Sequence, residues 1–561
     1  MKTFSAYEYR KHPLKILFLG FILLLSACSQ TTAPTSLEPQ NAYDNILYSL
    51  SSTMISPKQL DDAVVSGDIY VWFKPDAPIK GVKFYLDDVW VDGRTERDAP
   101  YALNGEVGTE LNALDTSTLS VGRHKVVASV QLKDGSTEKW RAYFTVERGD
   151  LPSVQAKSAA AFIDTIGVNT HLHYQRTVYD LGYQDIIKPK LLELGVRHVR
   201  DRAYTYPQAN RNTFYYQRLR ELAEAGIRFN LLTSLDIDSK QLEATDYSKL
   251  ADVVACTNGA IESFEGINEP DLEEKELTNW ISLTRKAQET LFATIAGNEV
   301  FSGIKVLGPS PVWQKDTLGD LSRYMDYGNI HPYPGGKMPT GSEGAHSTVA
   351  DINAAAQNSG DKPVVITETG YHNALNANGT HPPTSEEASA KYLPRLLLEH
   401  FNMGVPRTYL YEFIDSKEGR LTDKEASFGL LRNDGSEKPA YTALKNLIGL
   451  LEDTDTDFAP GSLSFSLSGA TQNVHHTLLQ KRDGSFYLAL WLEQPSWDRH
   501  ASKPISVPTQ NVTVTFASSV LGATLHSLNT TGIMSHKEVS LQNRKLELDV
   551  SDSVAVLELR P

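Results

Sequence analysis

Between residues 161 and 450, short apolar runs alternate with longer segments in which apolar residues recur at helical spacing. Eight such runs follow one another, and this repetition limits the possible folds more than any other feature of the sequence. They lie at residues 166–169, 196–200, 228–233, 264–268, 305–308, 329–331, 364–368 and 408–413. Alternating strand and helix patterns predict a parallel sheet covered by helices, and eight repeats predict a closed (β/α)8 TIM barrel of the α/β class.

A doubly wound open sheet alternates strands and helices in a similar way and is the main competing fold. Nucleotide-binding sheets of that kind carry a Gly-x-Gly-x-x-Gly motif or a phosphate-binding loop that ends in Gly-Lys-Ser/Thr. Neither motif occurs in this sequence. We therefore expect the closed barrel.

The segments on either side of the barrel alternate apolar and polar residues with a period of two, which is typical of half-buried strands. Over residues 58–148 the runs are separated by turn sequences such as Lys133-Asp134-Gly135-Ser136. This segment is similar to the immunoglobulin-like β-sandwich modules of secreted bacterial hydrolases. Residues 149–159 are predicted to be a linker, and residues 455–561 are predicted to form a second β-sandwich.

The tryptophans of the first sandwich have two interpretations. Trp72, Trp90 and Trp140 stack on sugar rings if the module binds a glycan. They pack into its core if the module is only a spacer, and this second interpretation is the favoured one.

The first 28 residues have the organisation of a bacterial secretion signal. Four basic residues precede an apolar run at residues 16–25, which is too short to remain in a bilayer as a spanning helix. The run is followed by Leu25-Ser26-Ala27-Cys28, which resembles a lipobox, the sequence at which a bacterial lipoprotein is cleaved and lipidated. We predict that Cys28 carries the lipid; the alternative is an ordinary signal peptide that ends near a cysteine.

Residues 29–57, whose first part is rich in proline and threonine, are predicted to be a solvated tether between the anchor and the first module. Because Ser29 rather than an aspartate follows the cysteine, the resemblance implies sorting to the outer membrane of the bacterial cell envelope. The only other cysteine, Cys256, is expected to be a small buried apolar residue.

The formal net charge of −15 makes nucleic acid an unexpected partner, since nucleic-acid binding requires basic patches. The same argument leans away from heavily sulfated or uronate-rich glycans. Arg200, Arg202, Lys315 and Lys337, which are expected near the mouth of the barrel, leave that possibility open.

The C-terminal ends of barrel strands meet at one mouth, so the residues at the predicted strand ends are candidates for a shared site. The fourth run ends in Asn268-Glu269-Pro270 and the seventh in Glu368-Thr369-Gly370. Further polar and aromatic candidates at strand ends are Asn169, Arg200, His331, Tyr333 and Tyr411. Two carboxyl groups about 5–5.5 Å apart do not both ionise at low cost, so one can serve as an acid while the other acts as a nucleophile.

These strand ends resemble clan A of the glycoside hydrolases, near families 5 and 39. An arginine after the second strand and a His-x-Tyr after the sixth are similar to that clan, as are Ser427-Phe428-Gly429-Leu430 and Lys438-Pro439-Ala440-Tyr441. The resemblance covers about half of the chain. It implies retaining cleavage of a β-linked polysaccharide or oligosaccharide at the cell surface, with no metal or cofactor.

The resemblance also implies roles for single residues. Glu269 would be the acid/base and Glu368 the nucleophile, while Asn268 would hydrogen-bond the sugar 2-hydroxyl. Arg200 and Tyr333 would donate hydrogen bonds to Glu368, and His331 would position one of these groups. Tyr411 and Trp313 are candidates for stacking on sugar rings.

The chain departs from the clan after the eighth strand. Many members place a tryptophan there as the floor of the sugar site, whereas this chain has Tyr411 followed by Glu412. The departure leaves the bound sugar open and the reaction class unchanged. Glu412 has either a substrate contact or a structural role.

Two other classes of function compete with the glycosidase. A metal-dependent barrel hydrolase would use His171 and His173 after the first strand together with His331 and Asp415. The fifth strand offers no lysine or histidine to complete that set. A non-catalytic, lipid-anchored glycan-binding protein would keep the cleft without needing a matched acid and nucleophile.

Overall fold

The computed structural model describes residues 45–49, 52–54, 57–91, 93–107, 110–146, 151–235, 245–273, 278–341, 347–377, 379, 381–418, 421–453, 458–517 and 522–560. The predicted secretion signal, the lipobox cysteine Cys28 and most of the predicted tether lie outside these residues. The prediction of a solvated tether is wrong for Ile46–Ser49, which forms a largely buried strand because Ile46 and Tyr48 pack into the core of the first sandwich. Within the described residues, no helix is both long and apolar enough to cross a bilayer. The chain divides into two compact units, Met1–Arg148 and Gly149–Pro561.

The first unit contains two sheets whose inner faces share one apolar core. One sheet is formed by Leu114–Asp115, Asp68–Phe73, Ile46–Ser49 and Lys58–Gln59, with Tyr101–Ala102 beside Asp68–Phe73. The other is formed by Ala63–Val65, Thr137–Val146, Gly122–Leu132, Ile79–Leu86 and Val89–Trp90. A separate ribbon pairs Glu106–Val107 with Glu110–Leu111, and Thr116–Thr118 forms a 3-10 turn.

Two of the three tryptophans in this unit pack against other side chains. Trp72 is buried, and the ring of Trp140 lies 5.2 Å from that of Phe73. Trp90 remains exposed, with the ammonium of Lys83 5.1 Å from its ring centre.

The predicted eight-stranded barrel is confirmed. Its strands, labelled β1 to β8, are Ile166–Asn169, His198–Arg202, Arg228–Thr233, Ile261–Ile267, Lys305–Leu307, Gly328–Ile330, Val364–Thr369 and Thr408–Leu410. All pairs are parallel, and their order around the sheet is β5-β4-β3-β2-β1-β8-β7-β6. A parallel bridge between Leu307 and Tyr327 closes the gap between β5 and β6.

Helices cover the outside of the barrel. They are Ala159–Asp164, Val178–Leu181, Lys188–Leu194, Asn210–Glu224, Leu250–Ala255, Pro270–Glu273, Trp280–Ile295, Thr348–Ser359, Glu386–Asn402 and Pro439–Leu451, with a π-helical turn at Tyr183–Ile187 and 3-10 turns at Tyr247–Lys249, Glu299–Phe301 and Ser322–Tyr324. Their ends follow ordinary capping rules. Ser385 accepts a hydrogen bond from the amide of Ala388 at one N-terminus, and Gly195 ends another helix in the left-handed conformation, with φ of 84°.

Cys256, which was expected to be buried, is only partly so. It lies at the C-terminal cap of Leu250–Ala255, where the side chain of Gln208 approaches its sulfur. Its place at the end of a helix on the outer surface of the barrel explains the exposure.

The C-terminal sandwich has a four-stranded and a six-stranded sheet. The first contains Ser153–Gln155, Ser462–Gly469, Gln510–Phe516 and Lys545–Val550. The second contains Lys157–Ser158, Val474–Gln480, Phe486–Leu492, Ala555–Arg560, Gly522–Leu528 and Met534–Val539. A two-stranded hairpin, Trp497–Asp498 with Lys503–Pro504, extends from it.

The prediction that residues 149–159 form a linker is wrong for its described part. Ser153–Gln155 pairs with Ser462–Gly469, and Lys157–Ser158 pairs with Val474–Gln480, so the barrel is inserted between strands of the second sandwich. The first of these strands has three residues and the second has two, so neither is long enough to show the alternation of apolar and polar residues that identifies a strand in a sequence.

A buried arginine joins the sandwich to the barrel. Arg395, on helix Glu386–Asn402, is fully buried, and its Nε donates to Glu493 at 2.9 Å. The same guanidinium donates to the hydroxyl of Ser496 at 3.3 Å and to the carbonyl of Gln494 at 3.0 Å. A buried guanidinium is stable only if its N–H groups have acceptors. These hydrogen bonds therefore fix how the C-terminal sandwich packs against the barrel.

A substitution at Gly167 of β1 tests the packing inside the barrel. A Cβ atom on this residue would lie 2.4 Å from the ring of Tyr409 in β8, whose hydroxyl is fixed by Glu262 at 2.8 Å. We expect Gly167→Ala to lower the free energy of unfolding of this unit by about 1–3 kcal/mol, measured by urea denaturation.

Gly449→Ala is the matched control. This glycine lies on an exposed face of helix Pro439–Leu451, with no atom within 4 Å of an added Cβ. We expect the change to raise the free energy of unfolding by about 0.5–1 kcal/mol, because alanine favours the helix. Equal effects of the two substitutions would contradict the packing described here.

Candidate active site

The C-terminal ends of the barrel strands open into a cleft of about 1180 Å³. All eight side chains predicted to form the site line this cleft. They are Arg200, Asn268, Glu269, Trp313, His331, Tyr333, Glu368 and Tyr411. The structure therefore brings together residues that are spread over more than two hundred positions of the sequence.

Glu269 follows the end of β4 and has an unusual backbone. Its φ angle is 39°, a left-handed conformation that costs a non-glycine residue about 1 kcal/mol or more. The neighbouring β5 end holds it, because Asn268 forms a parallel bridge with Ser310 and the amide of Glu269 donates to the Ser310 hydroxyl at 3.3 Å. Its carboxylate Oε1 lies 2.9 Å from Nδ1 of His331.

Glu368 lies in β7, and both of its carboxylate oxygens accept hydrogen bonds. Arg200 Nη1 donates to Oε1 at 2.6 Å, and the hydroxyl of Tyr333 donates to Oε2 at 2.7 Å. Burial raises the pKa of Glu368, but the positive charges of His331 and Arg200 and these two hydrogen bonds outweigh burial and lower it below its usual value. The carboxylate is therefore held ionised and fixed in orientation.

The two glutamates face each other across a short gap. One carboxylate oxygen of Glu269, one of Glu368 and a ring nitrogen of His331 all lie within 4.8 Å of one another. A pair of carboxyl groups at about 5–5.5 Å can flank a single bond of a ligand, one on each side. The same three groups could also ligate a cation, but such a cation would lie beside the Arg200 guanidinium.

Arg200 uses all five of its N–H groups inside the protein. Nε and Nη2 donate to the two oxygens of Glu265, each at 2.8 Å. The remaining N–H groups donate to Asn169 at 2.8 Å, Asn268 at 2.7 Å and Glu368 at 2.6 Å. Because the guanidinium is planar, the Glu265 pair fixes the direction in which it meets Glu368.

Glu265 is a residue of the site's hydrogen-bond network that the sequence analysis missed. It is fully buried in β4, and beyond Arg200 its carboxylate accepts hydrogen bonds from Asn230 at 2.6 Å, Asn329 at 2.9 Å and Thr367 at 3.0 Å. The sequence signal is weak, because Glu265 is a single acidic residue next to the apolar run that ends in Asn268-Glu269. A glutamate in an apolar strand that points into a barrel requires a buried cation at the same level.

His331 connects this buried layer to Glu269. Its Nε2 lies 2.9 Å from the hydroxyl of Thr367 and its Nδ1 2.9 Å from Glu269. Burial lowers the pKa of His331, but Glu368 and Glu269 outweigh it and raise the pKa above its usual value. Through its two ring nitrogens, His331 links the hydroxyl of Thr367 to the carboxyl group of Glu269 and so holds that group in place.

Aromatic residues form the sides of the cleft. Tyr411 packs edge to face with Tyr333 and Phe428, at 6.5 and 5.5 Å between ring centres. Trp313 is 67% exposed on the opposite loop, whose backbone amides at 312–314 donate to the buried carboxylate of Asp271 at 2.6–2.8 Å. An exposed indole on a fixed loop provides a flat apolar surface to a ligand.

Glu412 does not line the cleft. It is buried next to His171, whose Nε2 lies 3.2 Å from its carboxylate, and burial raises the pKa of Glu412 above its usual value. Of its two interpretations, the structural one agrees with this position, because His171 rather than Glu412 reaches the cleft.

The residues of the metal-dependent alternative take separate partners. His171 lies against Glu412, and His173 stacks on Tyr204 at 3.8 Å between ring centres. Asp415 pairs with Lys438 at 3.0 Å, and burial raises its pKa to about 6. In the part of the chain that is described, these side chains do not converge with His331 on one point.

No family model matches this sequence, and no curated protein does either. Among solved structures, a family 39 glycoside hydrolase from the gut symbiont Bacteroides cellulosilyticus WH2 is similar, with a TM-score of 0.45 and 15% identity over 89% of this chain and 98% of that chain. A glucosidase from Croceicoccus marinus has a TM-score of 0.48 and 11% identity over 73% of this chain and 99% of that one. A β-1,3-glucanosyltransferase from Rhizomucor miehei has a TM-score of 0.37 and 19% identity over 49% and 96%. These similarities are similarities of fold and do not extend to the chemistry of the cleft.

Proposed function

We propose that this protein is a retaining glycoside hydrolase that cleaves a β-linked polysaccharide or oligosaccharide. The observation that carries the proposal is the pair Glu269 and Glu368, with carboxylate oxygens within 4.8 Å of each other at the mouth of the barrel. Glu368 accepts hydrogen bonds from a guanidinium and a phenol, whereas Glu269 lies against the imidazole of His331, so the two carboxyl groups have different environments. Different environments are what an acid and a nucleophile require.

In the first step, Glu368 attacks the anomeric carbon while Glu269 gives its proton to the glycosidic oxygen. The glycosidic bond breaks, the leaving sugar departs as an alcohol, and a covalent ester joins the remaining sugar to Glu368. In the second step, Glu269 takes a proton from water as the water oxygen attacks the same carbon. The ester bond breaks, and both carboxyl groups return to their starting states.

The cleft supports catalysis over glycan binding alone. A binding protein needs stacking surfaces such as Trp313 and hydrogen-bonding groups, and these are present. It does not need a carboxylate such as Glu368 whose oxygens are both fixed, nor a strained glutamate directly opposite. The metal-dependent alternative is disfavoured because His171, His173 and Asp415 contact Glu412, Tyr204 and Lys438.

The first test removes the nucleophile. We expect Glu368→Ala to lower kcat on aryl β-glycosides by on the order of 10⁴-fold or more. Azide should restore part of the activity and give a glycosyl azide of inverted configuration, because a small anion can occupy the space of the lost carboxylate. Product analysis by NMR measures both results.

Glu387→Ala is the matched control for this test, because Glu387 is an exposed glutamate on helix Glu386–Asn402. Its kcat should equal that of the unmodified protein. Full activity of Glu368→Ala, or a rescued product of retained configuration, would rule out the assigned nucleophile.

The second test concerns pH. The nucleophile acts as a carboxylate, so kcat/KM is lost as the pH falls through the pKa of Glu368. Tyr333→Phe removes a donor that lowers this pKa. We expect the acid limb of the kcat/KM profile to move to higher pH in this variant.

Tyr174→Phe provides the comparison for the pH test, because Tyr174 lines the same cleft without being one of the donors to Glu368 described above. Its acid limb should match that of the unmodified protein. An unchanged acid limb in Tyr333→Phe would show that the phenol does not hold the carboxylate ionised.

We further propose that the protein acts at the bacterial cell envelope, anchored in the outer membrane by a lipid on Cys28. The lipobox-like sequence before this cysteine supports the proposal. We expect the protein to take up radiolabelled palmitate in bacterial cells and to fractionate with outer membranes, and Cys28→Ser to lose both properties. Membrane association of Cys28→Ser at the unmodified level would exclude the anchor.

A further inference from the structure

Among the described residues, several cations of the cleft have no paired anion, although the chain has a net charge of −15. Lys315 is paired with Asp351, and Lys424 lies 3.2 Å from Glu425. In contrast, three cationic side chains of the cleft form no ion pair or side-chain hydrogen bond with any described residue. These are Arg202, Lys337 and Arg499.

Lys337 and Arg499 belong to neighbouring loops on one side of the cleft. Lys337 follows Tyr333 in the loop after β6, and Arg499 lies in the hairpin that extends from the C-terminal sandwich. The two loops touch at Gly336, where an added Cβ would lie 3.1 Å from the Cβ of Arg499 and 3.2 Å from the carbonyl oxygen of Pro382. Gly336 has φ of 77°, so this approach suits glycine.

The hairpin that presents Arg499 is firmly anchored. The amides of Ser496 and Trp497 donate to the buried hydroxyl of Tyr392 at 2.8 and 3.0 Å. The side chain of Trp497 is buried, and Arg395 donates to Ser496 from the barrel side. The backbone that carries Arg499 is therefore fixed before a ligand binds, which lowers the entropy lost on binding.

None of the described acids that line the cleft pairs with Lys337 or Arg499. Asp316 is exposed at the rim, and Asp201 is buried with its carboxylate accepting from Thr170 and Leu172. The remaining acids are the catalytic pair and those already matched with Lys315 and Lys424. Unmatched cations in a concave surface concentrate positive potential there.

We propose that Arg499 and Lys337 form a subsite for a negatively charged group of the glycan, a carboxylate or a sulfate ester. A guanidinium binds either group through two parallel hydrogen bonds, and the ammonium of Lys337 adds a second charge. Arg202, at the end of β2, adds positive charge elsewhere in the same cleft. The inference rests on the proposed glycosidase function. It is the opposite of the expectation from net charge, which leaned away from sulfated and uronate-rich glycans.

Binding to acidic glycans tests the subsite. Calorimetry on the full chain carrying Glu269→Gln, which slows turnover, would compare a uronate oligosaccharide with its carboxyl-reduced neutral form. A second pair would be a sulfated oligosaccharide and its desulfated form. We expect one anionic form to bind about tenfold or more tighter than its neutral partner, with the difference shrinking at high salt.

Substitutions at single positions test which side chains recognise the negative charge of the glycan. Arg499→Ala should remove most of the preference for the anionic form, Lys337→Ala should remove part of it, and Arg499→Lys should retain more than Arg499→Ala. Lys503→Ala, on an exposed position of the same hairpin, should keep the full preference. Retention of the preference in Arg499→Lys would also show that the hairpin remains folded.

The outcomes separate this inference from the proposed function. Equal binding of anionic and neutral forms in both pairs, or equal losses for both forms in Arg499→Ala, would overturn the subsite. If aryl glycosides are still cleaved in a Glu368-dependent way in that case, the proposed function stands without it. Preference for an anionic form in a protein that cleaves no glycan would support the subsite and overturn the glycosidase.

Discussion

A guanidinium inside a protein is stable only if its N–H groups find acceptors, because several kcal/mol of hydration are lost when it is buried. Arg200 meets this condition with acceptors on four parts of the barrel: Asn169 of β1, Glu265 of β4, Asn268 just beyond β4, and Glu368 of β7. The arrangement of the candidate site depends on this one group. A shift of any of these strands would leave part of the charge unpaired, so the barrel and the carboxylate pair hold each other in place.

Much of the barrel and the centre of its site could be predicted from sequence because the signals are local. The alternation of strand and helix patterns identifies eight strands, and Glu269 and Glu368 stand where two of them end. The role of Glu265 was not evident, since its partner Arg200 is 65 positions away and a single acidic residue does not interrupt an apolar run. The strands at Ser153–Gln155 and Lys157–Ser158 were missed because pairing with distant partners, rather than their own pattern, makes them strands.

The position of Arg499 was beyond sequence reasoning for a related cause. It belongs to the C-terminal sandwich, and its hairpin reaches the mouth of the barrel through contacts with Arg395, Tyr392 and Gly336, which are distant in sequence. The sandwich therefore contributes a cation to the cleft as well as covering one side of the barrel. Net charge, which averages over the whole surface, gave no information about this local balance.

The insertion of the barrel into the sandwich affects how the chain is made. Gln155 contacts Ser462, its sheet partner 307 positions later. A ribosome adds about 5–20 residues per second, so the first strands emerge roughly 15–60 s before the strand that completes their sheet. All barrel strands appear during that interval, and the barrel can close first. The nascent chain thus carries an unpaired strand edge while the whole barrel is synthesised. Newly made chains aggregate through such edges unless a chaperone covers them.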